Sequence, residues 1–454
     1  MSFRKSRMTM ALCAALMPGI AAAQIVDSSM SARIEKDYPA LEALYKDLHA
    51  HPEIGFQEVR TAGVLAAKMR ELGFTVTEKV GGTGIVALYK HGEGPTVLVR
   101  TEMDGLPMAE KTNLAYASRY TQVVDGKETP TMHSCGHDMH MAWWVGTAQA
   151  LLAAKDTWQG TLMFIGQPAE EQVGGAKAML ADNLFERFGK PDVGFAAHVS
   201  NLPLGQVLIK AGTTSAASDS LSIMFHGKGG HGSMPSATID PVVMGARFVS
   251  DVQTVISREK DAAAFGVVTV GSFQAGTVAN IIPDEALLKI NLRSHSPEVR
   301  ELLLAGVKRT AKATADMAKA PEPTITYLEG ASALVNDPAL ARHQADVLKP
   351  VLGDKLVFVP ASVPPASASE DYSEFIEAGV PSVFFGIGGY DPEVIADFKA
   401  RGAALPVNHS PLFAPDPAGS IRTGVTVLTL AVIDAMKNGG KVPPAQQADR
   451  VQAN

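Results

Sequence analysis

Between Phe74 and Ala197 the chain alternates short β-branched or apolar runs with stretches of helical spacing, and this alternation narrows the folds open to it more than any other feature. Residues 74–77, 84–89, 96–100, 161–166 and 193–197 have strand length and composition. Leu41, Leu44, Tyr45 and Leu48 repeat at helical spacing ahead of them, and 62–72, 141–154 and 175–180 read as helices. Strands interleaved with helices predict an α/β domain whose mixed sheet is covered by helices on both faces. Ligand sites in such sheets collect at the carboxyl ends of strands. Glu102, Asp104, Glu170, Glu171 and His198 all fall just past predicted strand ends.

The alternation is interrupted. A Thr/Ser/Ala-rich stretch at 212–218 predicts a linker, and a compact block follows it. Strand 221–225, helix 241–256, strands 267–273 and 286–292, helix 297–317 and strand 324–328 spell β-α-β-β-α-β, the ferredoxin-like α+β arrangement. A second linker at 330–336 returns the chain to strand 380–385 and helix 419–435. The predicted architecture is a large domain over 24–213 and 331–442 with an inserted domain at 214–330 and a polar tail at 443–454. At 454 residues and 46% hydrophobic, the chain is long and apolar enough for both.

Residues 1–23 read as a signal peptide. Arg4, Lys5 and Arg7 form a basic start, an apolar run follows, and Ala21-Ala22-Ala23 supplies a small-residue cleavage site. Export, to periplasm or medium, is the expectation. Cleavage would take the formal net charge from -7 to -10, which disfavours nucleic acid and anionic membrane as partners. It would also leave Cys135 as the lone thiol, in an oxidising compartment and without a disulfide partner.

A metal bond is one good reason to keep that thiol. Cys135 stands in His133-Ser-Cys135-Gly-His137-Asp138-Met-His140, and Gln167-Pro-Ala-Glu170-Glu171 follows an apolar run downstream. Thiolate, imidazole and carboxylate together bind borderline-soft divalent cations. Cys135 and His137, on a loop entering a helix, can converge on one ion. Adjacent carboxylates at a turn can divide roles, one as ligand and the other as general base. His198 and His409 bracket the insert, and Asp104 can support a ligand from behind. In the insert, His231 lies among glycines and can donate to an oxyanion, while Asn280 and Arg293 can hold a substrate carboxylate. There is no Gly-x-Ser-x-Gly elbow and no Cys-x-x-Cys pair.

These segments resemble the M20 metallopeptidase family, and in particular its amidohydrolase branch of aminoacylases, hippurate hydrolases and plant auxin-conjugate hydrolases. The resemblance also rests on His51-Pro-Glu-Ile-Gly-Phe56, Glu102-Met-Asp104-Gly-Leu-Pro107, Gly227-Lys-Gly-Gly-His231, Asn280-Ile-Ile-Pro-Asp284, Ser369-Glu-Asp371 and Asn408-His409-Ser410-Pro411. It implies two divalent ions (zinc, manganese, nickel or cobalt) held by Cys135, His137, Glu171, His198 and His409, with Glu170 as general base. It further implies a homodimer formed through the insert, across which His231 reaches a site. Glu102 departs from the branch, which usually carries Asp there. The expected reaction is hydrolysis of the amide bond of N-acyl or N-aroyl amino acids. An exported dipeptidase or carboxypeptidase of the same mechanism, or a non-catalytic metal-stabilised binding protein, are the alternatives.

Overall fold

The computed structural model describes residues 18–442 and Pro444. The predicted signal peptide up to Met17, and the rest of the predicted tail, lie outside the described residues. Helices α1 (Pro18–Ala50) and α2 (Val59–Glu71) precede strands β1 (Thr75–Val80), β2 (Gly84–His91) and β3 (Thr96–Glu102). Helix α3 (His137–Ala153), β4 (Gly160–Gln167), β5 (Val193–Pro203) and β6 (Val207–Lys210) complete the first half of the large domain. The insert contributes β7 (Ala217–His226), α4 (Pro241–Asp251), β8 (Gly266–Ala275), β9 (Glu285–Ser294), α5 (Pro297–Met317) and β10 (Thr324–Ala331). Helix α6 (Pro338–Leu352), β11 (Leu356–Val359), β12 (Ser382–Tyr390) and α7 (Pro417–Lys437) bring the chain back.

The large sheet has eight strands in the order β1-β2-β4-β3-β5-β12-β6-β11. Its centre, β4-β3-β5-β12, is parallel, and β2 and β6 join antiparallel on either side. Both faces are buried, which is why the strands read as continuous apolar runs. Val97 and Val99 pack in one core with Phe164, Trp143, Val425 and Leu428, while Leu98 and Met163 turn to the opposite core with Met179 and Phe375. Helix α7 is long and apolar enough to cross a membrane, yet 67% of that stretch is buried inside the protein, as befits a core helix.

The insert's sheet runs β8-β9-β7-β10, all antiparallel, with α4 and α5 packed on it, in agreement with the predicted ferredoxin-like block. Two expectations change. The Thr/Ser/Ala-rich stretch is not a loose linker: residues 212–215 pair antiparallel with 334–336, so the outgoing and returning chain form one ribbon. Small hydroxyl side chains are compatible with turns and with β-ribbons alike, so composition could not separate the two. The helix expected over 241–256 ends at Asp251, and a wider π turn, Val255–Glu259, follows it.

Helices α3 and α7 approach closely because Gly424 faces Trp143. A Cβ there would sit 2.4 Å from Trp143 Cδ2, and that indole is fully buried and cannot swing away. We expect Gly424→Ala to lower unfolding stability by about 1–3 kcal/mol through overpacking. Denaturant titration of both proteins measures this, and an unchanged midpoint would contradict the close packing.

Candidate metal centre and active-site cavity

Local backbone geometry delivers each donor. Gly136 takes a left-handed φ of 89° and caps α3, so the helix begins at His137 rather than at the expected Met141. A Cβ at Gly136 would lie 2.4 Å from Val199 Cγ1, so only glycine allows Cys135 and His137 to flank this turn. After β4, Ala169 and Val173 both adopt positive φ (46° and 53°), and the Val173 N–H closes a turn onto the Glu170 carbonyl oxygen at 2.7 Å. Strained backbone of this kind holds Glu170 and Glu171 at the sheet's edge. His198 is not past a strand end, as the sequence predicted, but within β5, opposite Gly386 of β12. The neighbouring parallel strand, distant in sequence, extends β5 to Pro203. His409 (φ 69°) is fixed by its N–H to the Ser134 carbonyl oxygen at 2.8 Å. Asn408 Nδ2 donates to the carbonyl oxygens of Cys135 and Val199 at 2.9 and 3.2 Å.

The donor atoms converge. Those of Cys135, Glu171 and His409 lie within 4.8 Å of one another, as do those of His137, Glu170 and Glu171. Glu171 is common to both groups, and Cys135 Sγ lies 3.3 Å from Nε2 of His198, which itself groups with His137, His140 and Glu102. Hydrogen bonding fixes the imidazole tautomers. His137 Nδ1–H donates to the Asp104 carbonyl oxygen and His198 Nδ1–H to that of Val199, both at 2.7 Å. A carbonyl can only accept, so in the neutral form of each ring Nε2 carries the lone pair, directed into the cluster. Among the described residues, His137 Nε2 and Glu171 Oε1 are buried and find no hydrogen-bond partner. Orphaned acceptors beside a buried thiol fit a thiophilic divalent cation, and nothing in the donor set argues against one.

Without a cation, burial and the crowded acids together favour the protonated forms of Cys135, His137 and Glu170, the pattern expected where acids surround a site that a cation would neutralise. Burial pushes the Cys135 thiol well up, and the charges of Glu171, Glu170 and Glu102 add to it. A cation in this position reverses that balance and deprotonates a coordinating thiol. Burial opposes charge on His137, yet Asp104, Glu102 and Glu171 raise its pKa to about 10. Burial, with repulsion from His140, drops His198 to about 3 and keeps it neutral. Glu170 is raised well above the carboxylate range by burial and then by Glu370, Glu171 and Asp371.

Asp104 sits behind the donors: its carboxylate accepts from the Glu171 N–H at 3.0 Å and lies 3.3 Å from His137 Nδ1. Arg293 lines a cavity of about 1000 Å³ between the large sheet and the insert, whose floor holds Cys135, Glu170 and Glu171. His231 and Asn280 are not brought there. They are exposed and adjacent in a small ribbon of the insert, with Gly232 N–H donating to the Asn280 carbonyl oxygen at 2.8 Å. Sequence reasoning missed several supporting groups. Arg100, fully buried, reaches Glu102, Glu370, Asp371 and Gln167 at 2.7–3.2 Å. His140 accepts from the Val199 N–H at 2.9 Å and so donates from Nδ1 to Glu102 at 3.1 Å. A charge ending an apolar strand at Arg100, and the carboxylate pair in Ser369-Glu-Asp371, were the available signals.

Residues 98–398 match the family described as peptidase family M20/M25/M40. The chain is 37% identical over 344 residues to the hippurate hydrolase of Campylobacter jejuni subsp. jejuni, covering 74% of this chain and 85% of that protein. It is 33% identical over 374 residues to the IAA-amino acid hydrolase ILR1-like 4 of Arabidopsis thaliana, covering 81% and 79%. Among solved structures, Bacillus subtilis YXEP, a dinuclear metal-binding peptidase of the M20 family, superposes with a TM-score of 0.68 at 27% identity over 88% of this chain and 99% of that one. The chain therefore belongs to the M20 family. Within it, it is a metallo-amidohydrolase, acting on amide bonds.

Behind the cluster, His49 bridges Asp138 and Glu110 at 2.6 and 3.1 Å. Burial disfavours its charge, but the two carboxylates outweigh this and hold it at about 9, against an ordinary 6.5. Folded-state protonation is favoured, so the stabilisation is complete below pH 6.5 and is lost as pH climbs to about 9. The stability gap between wild type and His49→Asn is expected to narrow by up to about 3 kcal/mol across that window. Unfolding titrations at several pH values follow it, and a gap independent of pH would refute the charged bridge.

Proposed function

We propose that this enzyme hydrolyses N-acyl or N-aroyl amino acids, using two divalent cations held by Cys135, His137, Glu171, His198 and His409. The observation that carries the reading is the convergence of sulfur, imidazole and carboxylate donors, with lone pairs free, on the floor of a cavity that also presents Glu170 and Arg293. The relatives named above act on hippurate and on IAA-amino acid conjugates, both acyl-amino acids. Bound cations supply Lewis acidity toward the scissile carbonyl and acidify water.

The chain's own groups do the rest. Glu170 in its carboxylate form, which cations beside it would favour, takes a proton from the attacking water as the water oxygen bonds to the acyl carbon. The same carboxyl group then protonates the nitrogen as the carbon–nitrogen bond breaks, releasing acid and amine. Asp104 keeps His137 and the Glu171 backbone in register. Arg293 is braced by Asn291 at 2.9 Å and Ser369 at 2.8 Å, and turns its guanidinium to the α-carboxylate of the amino-acid half. His231 and Asn280 enter this reading only if a second copy brings the insert's ribbon to a neighbouring cavity. Dimerisation and export are parts of the proposal.

Adding zinc, manganese, nickel or cobalt back to stripped protein, and assaying N-acyl amino acids against dipeptides, tests the reading. Activity confined to dipeptides, or none with any cation, would overturn it. Glu170→Gln is expected to keep its metal and lose about 10²–10⁴-fold in kcat. Near wild-type turnover would remove the base role. Cys135→Ala is expected to bind less metal by elemental analysis, and an unchanged stoichiometry would remove the thiolate ligand.

A further inference from the structure

The cavity contains a second cationic point that the reaction as proposed does not use. Lys210 ends β6 and is only 6% exposed, yet it lines the cavity. Among the described residues its ammonium pairs with no carboxylate; its hydrogen bond goes to the Ala211 carbonyl oxygen at 3.3 Å. A buried charge without a counter-ion is costly, and proteins keep one where a ligand supplies the opposite charge.

Its surroundings are also unfilled. Among the described residues, Ser215 Oγ and His295 Nε2 are buried and find no hydrogen-bond partner. Ser215 lines the same cavity, and the His295 ring lies flat on cavity-lining Phe265, with centroids 3.8 Å apart and planes 12° apart. His295 follows Ser294, whose partner across the sheet is Ala217, two residues from Ser215, so the His295 ring and Ser215 belong to the same end of the cavity as Lys210. Lys210 comes from the large sheet and His295 from the insert, so the two domains face each other across this end of the cavity.

Register fixes how far this end is from the metal donors. His198 lies opposite Gly386, and Gly386 lies opposite Leu208. Lys210, two residues beyond Leu208, faces the same side. Two strand spacings and two residues of rise put its Cα about 12 Å from that of His198. Allowing for both side chains, an amide at the donors and a carboxylate at Lys210 are separated by roughly the reach of one short side chain or acyl chain. Arg293 remains for the α-carboxylate.

We propose that Lys210, with Ser215 and His295, forms a subsite for a second carboxylate, so that the preferred substrates are doubly acidic N-acyl amino acids. This deepens the amide-hydrolase reading above and rests on it. The second carboxylate belongs either to an acidic amino acid or to a dicarboxylic acyl group, and the test separates them.

Calorimetric binding to the full-length protein, with and without added zinc, compares two pairs that differ in one charge: N-acetylglutamate with N-acetylglutamine, and N-succinylalanine with its succinamic amide. We expect one acid to bind about 10–100-fold more tightly than its amide twin. Lys210→Met should abolish that ratio while leaving the affinity for the amide within about twofold, and Lys210→Arg should retain it. Equal affinities within both pairs for the wild type, or a ratio that survives Lys210→Met, would overturn the subsite. The wild-type comparison stands even if Lys210→Met fails to fold. A charge preference in binding with no hydrolysis of any N-acyl amino acid would strike the reaction and leave the subsite intact.

Discussion

Arg100 carries the buried charge on which the centre is built. Its guanidinium is inaccessible to solvent and reaches three carboxylates, Glu102, Glu370 and Asp371, together with Gln167. These groups come from β3, from the end of β4 and from the segment returning after the insert. Acids buried this closely would repel one another and take up protons without a permanent cation among them. Gln167 also donates to Asp371 at 2.6 Å, and Asp371 accepts from the Ala176 N–H at 3.0 Å. Strand ends and loop are thereby locked at the place where the donors emerge.

From that base the site divides between the large domain and the insert. Cys135, His137 and His198 stand on a helix start and a central strand whose tautomers and rotamers are set by backbone carbonyls. The insert supplies Arg293 and Asn291 from its own sheet and His295 from the bend just after it. It is tied to the large domain by the ribbon at 212–215 and 334–336 and by Arg293 to Ser369. The candidate metal donors thus sit on the large domain, while both domains line the cavity above them. Val173 and His409, both at positive φ, line the cavity between the two domains, as expected when surrounding structure imposes a functional geometry.

Much of the fold was legible because its signals are local. Residues 297–317 show an unbroken helical repeat, and Pro297–Met317 is a helix with Ser296 as its N-cap. The β-α-β-β-α-β order of the insert follows from spacing alone. The donors were legible through residue chemistry, because a thiol with no partner, near histidines and paired carboxylates, has few other uses. What was not legible depended on neighbours remote in sequence. β5 continues through His198 because β12, nearly two hundred residues later, pairs with it. Arg100 looked like a strand terminus, since its carboxylate partners lie as far away as Asp371.

The residue types and their order decided by themselves that this chain would fold as an α/β domain with a ferredoxin-like insert and would carry soft and hard metal donors. Periodicity and side-chain chemistry are properties of short stretches, so they survive without coordinates. Only the tertiary structure decided which nitrogen of each histidine faces the cluster, which acids share Arg100, that His231 and Asn280 stand outside this chain's cavity, and that Lys210 lies inside it unpaired. Those are matters of distance, burial and hydrogen-bond direction between segments far apart in the chain, and no local pattern encodes them.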